Sequence, residues 1–252
     1  MPVNWDIKDK VIAVTGAASG IGLAVAELLA SQGVHVSMAD LTEKALNEAA
    51  DRLSSAGYSV MATVVDVREE DQVNSWIEKT VAKFGKLDGA VNMAGVVPKV
   101  INIEDVEHHN TPDWKFVLDV NLTGTFHCMR AQLGVMKDQG SIVNAASIAG
   151  VTGFPKNAAY TASKTGVIGL SRAACKEVGH REIRINCVAP GIIDTPMQAA
   201  AKATRGGEIT WKHQIQRRGT PQEVASLVAW LLCDESKFIT GAVHHIDGGW
   251  CC

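Results

Sequence analysis

The sequence predicts a doubly wound α/β domain, a seven-stranded parallel sheet flanked by helices on both faces. Short β-rich runs alternate with helical stretches from start to finish of the 252-residue chain, and a repeating β–α order gives parallel strands joined by helical crossovers. Ala, Val, Ile and Gly are plentiful while aromatics make up only 5% of the residues, which suits strands packed closely against helices. No linker, low-complexity tract or tandem repeat divides the chain, so residues 1–252 read as one domain.

Val11–Thr15 reads as a buried first strand. Ile21–Gln32 carries apolar residues at helical spacing, and Gly33 supplies its stop. Val34–Ala39 is the second strand, ending at Asp40. Thr42–Ala56 is a helix with Thr42 as cap, Glu43 in its first turn and Gly57 at its end. Ser59–Val65 is the third strand, closing at Asp66, and Glu69–Phe84 is a helix ended by Gly85. Gly89–Met93 is the fourth strand. Val96 to Asn110 is irregular and of mixed charge. Thr111-Pro112-Asp113 then opens a helix running to about Lys137, with Thr as cap, Pro in the first turn and an acid facing the dipole. Ser141–Ala146 is the fifth strand, Ala158–Val178 a long helix, and Ile183–Ala189 a sixth strand stopped by Pro190-Gly191. Pro221–Cys233 is a helix, again opened by Thr then Pro, and Ala242–Ile246 is the last strand.

Composition excludes several function classes. With 46% hydrophobic residues the chain can bury a sizeable core, and a net charge of −3 without any basic run leaves no nucleic-acid footprint. Met1–Lys10 lacks an apolar signal region and no stretch is long enough to span a bilayer, so the chain reads as soluble and cytoplasmic. Six cysteines form no C-x-x-C pair, and the eight histidines form no His-Glu-x-x-His helix, so no metal site is expected.

Thr15-Gly16-Ala17-Ala18-Ser19-Gly20-Ile21-Gly22 follows the first strand and opens a helix. A pyrophosphate needs close backbone approach and unpaired N–H groups, which a helix N-terminus offers together with a favourable dipole. Gly16 permits the tight turn, and Gly20 and Gly22 remove side chains where cofactor and strand come near. Strand-to-helix turns use glycine for other reasons too; the strand–turn–helix context gives the cluster its meaning, that of a Rossmann-type dinucleotide site. Asp40, ending the second strand, suits the adenosine ribose hydroxyls and repels a 2′-phosphate. No Arg or Lys lies in Ala17–Ser19 or Leu41–Thr42 to balance one. The expected cofactor is therefore NAD, with NADP disfavoured.

Tyr160 and Lys164 lie one helical turn apart on one face. A free phenol has a pKa of about 10, and a nearby ammonium favours the phenolate, so Tyr160 is a candidate general acid/base. Ser147, at a strand end, can hold a substrate oxygen. Tyr-x-x-x-Lys alone is common on amphipathic helices, and Ser147 alone is an ordinary strand-end serine. Their combination with the dinucleotide turn points to hydride exchange between a nicotinamide and an alcohol or ketone.

Over essentially its whole length the sequence resembles the short-chain dehydrogenase/reductase family in its single-domain form. Thr15–Gly22 matches the motif T-G-x-x-x-G-[IL]-G. Asp66-Val67 matches the acid–apolar pair that contacts adenine. Asn92-Met93-Ala94-Gly95 matches N-N-A-G, with Met93 in place of the second Asn. Asn121 in Val120-Asn121-Leu122-Thr123-Gly124, together with Ser147, Tyr160 and Lys164, matches the catalytic tetrad. Pro190-Gly191 and Thr195 match P-G-x-x-x-T, and Ala146 stands where a second Ser often precedes the catalytic one. The resemblance implies that Gly16, Ser19, Gly20, Ile21, Gly22, Asp40, Asp66, Val67, Asn92, Ala94, Gly95, Tyr160, Lys164, Pro190, Gly191, Ile193 and Thr195 surround the cofactor. It implies that Asn121 bends its helix, exposing a carbonyl whose water links Lys164 to solvent.

By the same resemblance the substrate side is built after Gly95, after Ser147 and in a loop or lid at about 192–218. There Val97, Ile148, Phe154, Met197 and Trp211 suggest a hydrophobic or cyclic alcohol, although each would also serve in a core or subunit contact. Ala199–Gly207 is the candidate lid. Lys202, Arg205, Lys212, Arg217 and Arg218 either solvate this region or meet an acidic substrate. A homotetramer or homodimer is implied, using Thr111–Lys137, Ala158–Val178 and the last strand, with Gly249–Cys252 near a neighbour. The leading expectation is an NAD-dependent secondary-alcohol dehydrogenase or ketone reductase. Its rivals are an enzyme using bound nicotinamide for isomerisation, dehydration or cyclisation without net redox, and a dinucleotide-sensing regulatory protein.

Overall fold

The computed structural model describes residues 6–205 and 213–252. Seven strands, β1 (Val11–Thr15), β2 (His35–Asp40), β3 (Val60–Val64), β4 (Gly89–Asn92), β5 (Ser141–Ala145), β6 (Arg184–Pro190) and β7 (Val243–Ile246), form one sheet. Every pairing is parallel and the order is β3-β2-β1-β4-β5-β6-β7. The chain winds outward from β1 to β3, then returns to lay β4 on the other side of β1. That reversal opens a crevice beyond the carboxyl ends of β1 and β4.

Successive strand residues face opposite layers. Ile12 and Val14 join Val143 and Val188 beneath α1 (Gly20–Ser31), α2 (Glu43–Ser55) and α9 (Pro221–Leu232). Val11 and Ala13 join Ile142 and Ile185 against α3 (Glu70–Phe84), α5 (Gly124–Val135) and α7 (Ala158–Val178). Trp76 of α3 is fully buried, and its Nε1 donates to Ser37 Oγ at 2.8 Å. The ring thus enters the core without an unpaired donor.

Local chemistry sets the helix ends. Gly85 adopts φ +79 and stops α3, a left-handed position that favours glycine. Thr220 and Glu223 form a reciprocal capping box, with Pro221 in the first turn of α9. Two expected caps differ. Asn110, rather than Thr111, caps α4 (Thr111–Leu118), its Oδ1 accepting from Asp113 N at 2.9 Å. Thr42 makes no side-chain cap bond to α2; its own N–H donates to Asp40 Oδ1 at 2.9 Å. The single helix expected over 111–137 is α4, a π turn at Asp119–Thr123, and α5. Two helices were not foreseen: α6 (Ile148–Thr152) and α8 (Pro196–Arg205). Among the described residues no helix is long and apolar enough to cross a membrane, and no group of three or more His, Cys, Asp or Glu is placed to hold a metal ion.

Candidate active site

A cavity of about 790 Å³ lies over the β1/β4 crevice, with Asp40 and Trp250 both in its wall. At its cofactor end, Thr15 Oγ1 accepts from the N–H groups of Met93 and Ala94, 3.1 Å each, tying β1 to the segment after β4. Gly16 sits at φ +69, where an added Cβ would meet Met93 C and Ala94 N at 3.0 Å. A Cβ on Gly22 would lie 2.2 Å from Gly16 O, so α1 packs directly on the turn. Ser19 precedes α1 in an extended conformation and makes no side-chain cap bond. The first N–H groups of α1 are therefore left to whatever occupies the adjoining cavity. A glycine cradle with uncapped N–H groups fits a dinucleotide pyrophosphate.

Asp40 braces this end. Its Oδ2 accepts from Ala18 N at 3.1 Å and its Oδ1 from Thr42 N, so the carboxylate is fixed beside the glycine turn. Asp66 and Val67 also line the cavity. Arg68 joins them, a residue the sequence reading did not single out. Its Nε donates to Asp66 Oδ1 at 2.9 Å, and the guanidinium holds the Asp66 carboxyl below its usual range.

At the other end, Ser147 lies just past β5 and caps α6, its Oγ accepting from Ala149 N at 3.1 Å. Ser147 and Tyr160 both line the cavity. Burial pushes the Tyr160 phenol up, and the neighbouring Ser147 hydroxyl opposes it. The depression expected from Lys164 is not what dominates. The Lys164 Nζ lies 5.7 Å from the Tyr160 ring centroid and donates to Ala145 O at 2.8 Å. Lys164 is itself only 3% exposed, and burial pushes its amine down to about 8, because desolvation penalises the charged form.

Asn121 sits in the π turn and is fully buried. Its Oδ1 accepts from Val96 N at 2.8 Å, while Nδ2 donates to Val96 O and Ser163 Oγ at 2.9 and 3.0 Å. Its main-chain carbonyl accepts from Thr125 Oγ1 at 2.7 Å. The helix is thus distorted here as expected, but the amide itself pins the strand-following loop, and the residue does not line the cavity. A Cβ on Gly95 would lie 3.2 Å from Asn121 Oδ1 and 3.4 Å from Lys164 Nζ, which explains glycine at that position.

A family profile described as Enoyl-(Acyl carrier protein) reductase matches residues 16–251. The short-chain dehydrogenase/reductase aba4 of Botryotinia fuckeliana (strain B05.10) is 50% identical over 251 residues, 97% of each chain. The chain belongs to the short-chain dehydrogenase/reductase family. As such it is an oxidoreductase of a family that uses a nicotinamide cofactor. The cyclohexanol dehydrogenase of Acinetobacter sp. (strain SE19) is 38% identical over 244 residues, 96% of this chain and 95% of that one. The crystal structure of levodione reductase superposes with a TM-score of 0.89 at 34% identity, covering 96% of this chain and 97% of the other.

Within this dehydrogenase/reductase, the motif residues divide between the cavity wall and its support. Ser19, Gly20, Ile21, Ala94, Gly95, Pro190, Gly191, Ile193 and Thr195 all line the cavity. Asn92 does not. Its Nδ2 donates to Gln132 Oε1 and Asn144 Oδ1, and its Oδ1 accepts from Gln132 Nε2, all within 3.0 Å. Its amide is spent on joining β4 to β5 and α5.

The substrate end holds Val97, Ile148, Phe154 and Met197 as expected. Trp211, Lys212 and the end of the Ala199–Gly207 stretch lie outside the described residues. Arg217 pairs with Glu223 and Arg218 with Asp194, at 2.6 and 3.1 Å, and neither lines the cavity. Sequence reasoning missed Trp250, having assigned the tail to a neighbouring subunit. Asp247 accepts from Gly249 N and Cys251 N at 3.0 Å each, folding the tail back. Trp250 then meets the Phe154 ring edge-on, centroids 5.8 Å apart, in this chain's own cavity. The available signal was a tryptophan directly after the Asp247-Gly248-Gly249 turn.

Proposed function

We propose that this short-chain dehydrogenase/reductase interconverts a secondary alcohol and a ketone with NAD, acting on a hydrophobic, cyclic small molecule. The observation that carries the reading is Tyr160 beside Ser147 on the cavity wall, with the buried Lys164 amine below. Bound nicotinamide supplies the hydride acceptor or donor. Ser147 Oγ and the Tyr160 hydroxyl together hold the substrate oxygen. In ketone reduction the neutral phenol, favoured by burial, gives its proton to the forming alkoxide. In alcohol oxidation the phenol must first lose that proton, which a positive charge brought beside it favours. Lys164 binds the ribose and passes the proton onward, and Asn121 positions the loop that closes this corner.

Asp40 supports NAD over NADP. Its carboxylate is fixed by two backbone N–H groups where a ribose 2′-substituent would come, and would repel a phosphate there. The apolar substrate end supports a cyclic substrate, in keeping with the names of the cyclohexanol dehydrogenase and levodione reductase to which the chain is similar. Assembly as a homotetramer or homodimer is supported by Trp114 and Phe126, partly exposed on α4 and α5. Buried thiols such as Cys128, Cys187 and Cys233 suit the reducing cytoplasm.

A spectrophotometric screen of cyclic and aliphatic secondary alcohols, with NAD and NADP in parallel, tests the reading. It requires one NADH formed per ketone formed. Product formation without net NADH would instead establish the isomerising or dehydrating alternative.

A further inference from the structure

Five asparagines are buried among the described residues: Asn92, Asn121, Asn144, Asn157 and Asn186. Four have both ends of the amide hydrogen-bonded. Asn144 donates to Ser171 Oγ and accepts from Asn92; Asn186 donates to Ile239 O and accepts from Ala242 N. The pairs made by Asn92 and Asn121 are given above. Asn157 is the exception. It is 6% exposed, its Oδ1 is buried with no partner, and although it stands at the N-terminus of α7 its side chain makes no cap bond.

A buried amide without partners costs about 1–3 kcal/mol, and such groups persist where a ligand completes them. Asn157 is in the cavity wall, one helical turn before Tyr160. Asn102 shares this end. Its main-chain N–H donates to Lys156 O at 2.9 Å, which holds the loop after Val97 against the residue preceding Asn157. The neighbouring wall is the aromatic pair Phe154 and Trp250. One substrate end therefore offers an apolar surface for a ring and, beside it, an amide whose Nδ2 donates to no group of the described residues and whose Oδ1, buried behind it, accepts from none.

We propose that Asn157 binds a second oxygen function of the substrate, so that this enzyme acts on a cyclic alcohol or ketone carrying a further hydroxyl or carbonyl group. The inference rests on the alcohol–ketone reading and deepens it. A hydroxyl both donates and accepts, and so satisfies the amide whichever way it is turned. The reacting oxygen stays with Ser147 and Tyr160; the second oxygen sets orientation and selectivity.

The test compares kcat/KM for cyclohexanol with those for cyclohexane-1,2-, 1,3- and 1,4-diol. The wild-type enzyme is expected to favour at least one diol about tenfold, beyond the statistical advantage of two equivalent hydroxyls. Asn157→Leu and Asn157→Ala should lower that diol-to-alcohol ratio about tenfold, chiefly through KM for the diol. A wild-type enzyme that oxidises cyclohexanol as well as every diol overturns the proposal. So does an unchanged ratio in folded, NADH-binding variants, because a merely structural Asn157 would slow both substrates alike. If Asn157→Leu does not fold, Asn157→Ala and the wild-type comparison still decide. A wild-type protein that turns over no alcohol at all would defeat the alcohol–ketone reading beneath it.

Discussion

The Lys164 Nζ donates to the carbonyl oxygen of Ala145 at 2.8 Å, the residue that ends β5 two positions before Ser147. This bond fixes the amine under the floor of the cavity and takes it out of water. Burial then moves its pKa from 10.5 to about 8.

The shift has a stability consequence of definite sign. Between about pH 8 and about pH 10.5 the unfolded chain holds a proton on Lys164 that the folded chain has released, so folding stability from this group rises with pH across that window. Below it the cost of the buried charge is fully present, on the order of 3 kcal/mol. Urea denaturation of the wild type and Lys164→Met should show the wild type gaining on the variant through this window. A difference independent of pH would contradict the assignment.

Asp40→Ala should narrow the preference for NAD over NADP about tenfold or more in kcat/KM, by removing the carboxylate from the ribose position. Steady-state kinetics with both cofactors measures it. An unchanged ratio would remove Asp40 from cofactor selection.

Asn121→Ala leaves both backbone groups of Val96 without their side-chain partner. The expected loss is about 2 kcal/mol or more, from two buried groups deprived of hydrogen bonds, read as a lower denaturation midpoint. A midpoint equal to the wild type would show that the amide does not hold this loop.

Gly22→Ala should abolish NADH binding, since its Cβ would fall 2.2 Å from Gly16 O. Gly134→Ala is the matched control. Nothing lies within 4 Å of a Cβ there, and replacing an exposed helical glycine should add about 0.5–1 kcal/mol. Fluorescence titration of NADH and thermal melts separate the two outcomes.

The sheet was legible because each strand carries its own local signal. Val11–Thr15, His35–Asp40 and Ser141–Ala145 are short apolar runs closed by turn residues, and their order alone implied the parallel winding. The glycine turn was legible because its function depends on missing side chains. What escaped depends on competition or distance. Asn110 and Thr111 are both good caps, and only the fold decides which one bonds Asp113 N. The Thr111-Pro112-Asp113 entry that predicted one long helix carries no signal for the π turn inside it. Asn92 matches a motif, yet its amide faces Gln132 and Asn144, far away in sequence. Trp250 reaches the cavity because Asp247 folds the tail back; the Asp247-Gly248-Gly249 turn is a local signal, but its partner Phe154 lies far away in sequence.

The central claim is that the Tyr160 hydroxyl exchanges the proton with the reacting oxygen. Tyr160→Phe removes one oxygen atom, the one beside Ser147. Turnover should fall on the order of 10³-fold, while NADH still binds within about twofold of the wild type by fluorescence titration. A Tyr160→Phe enzyme that retains wild-type turnover on the same alcohol would contradict the claim.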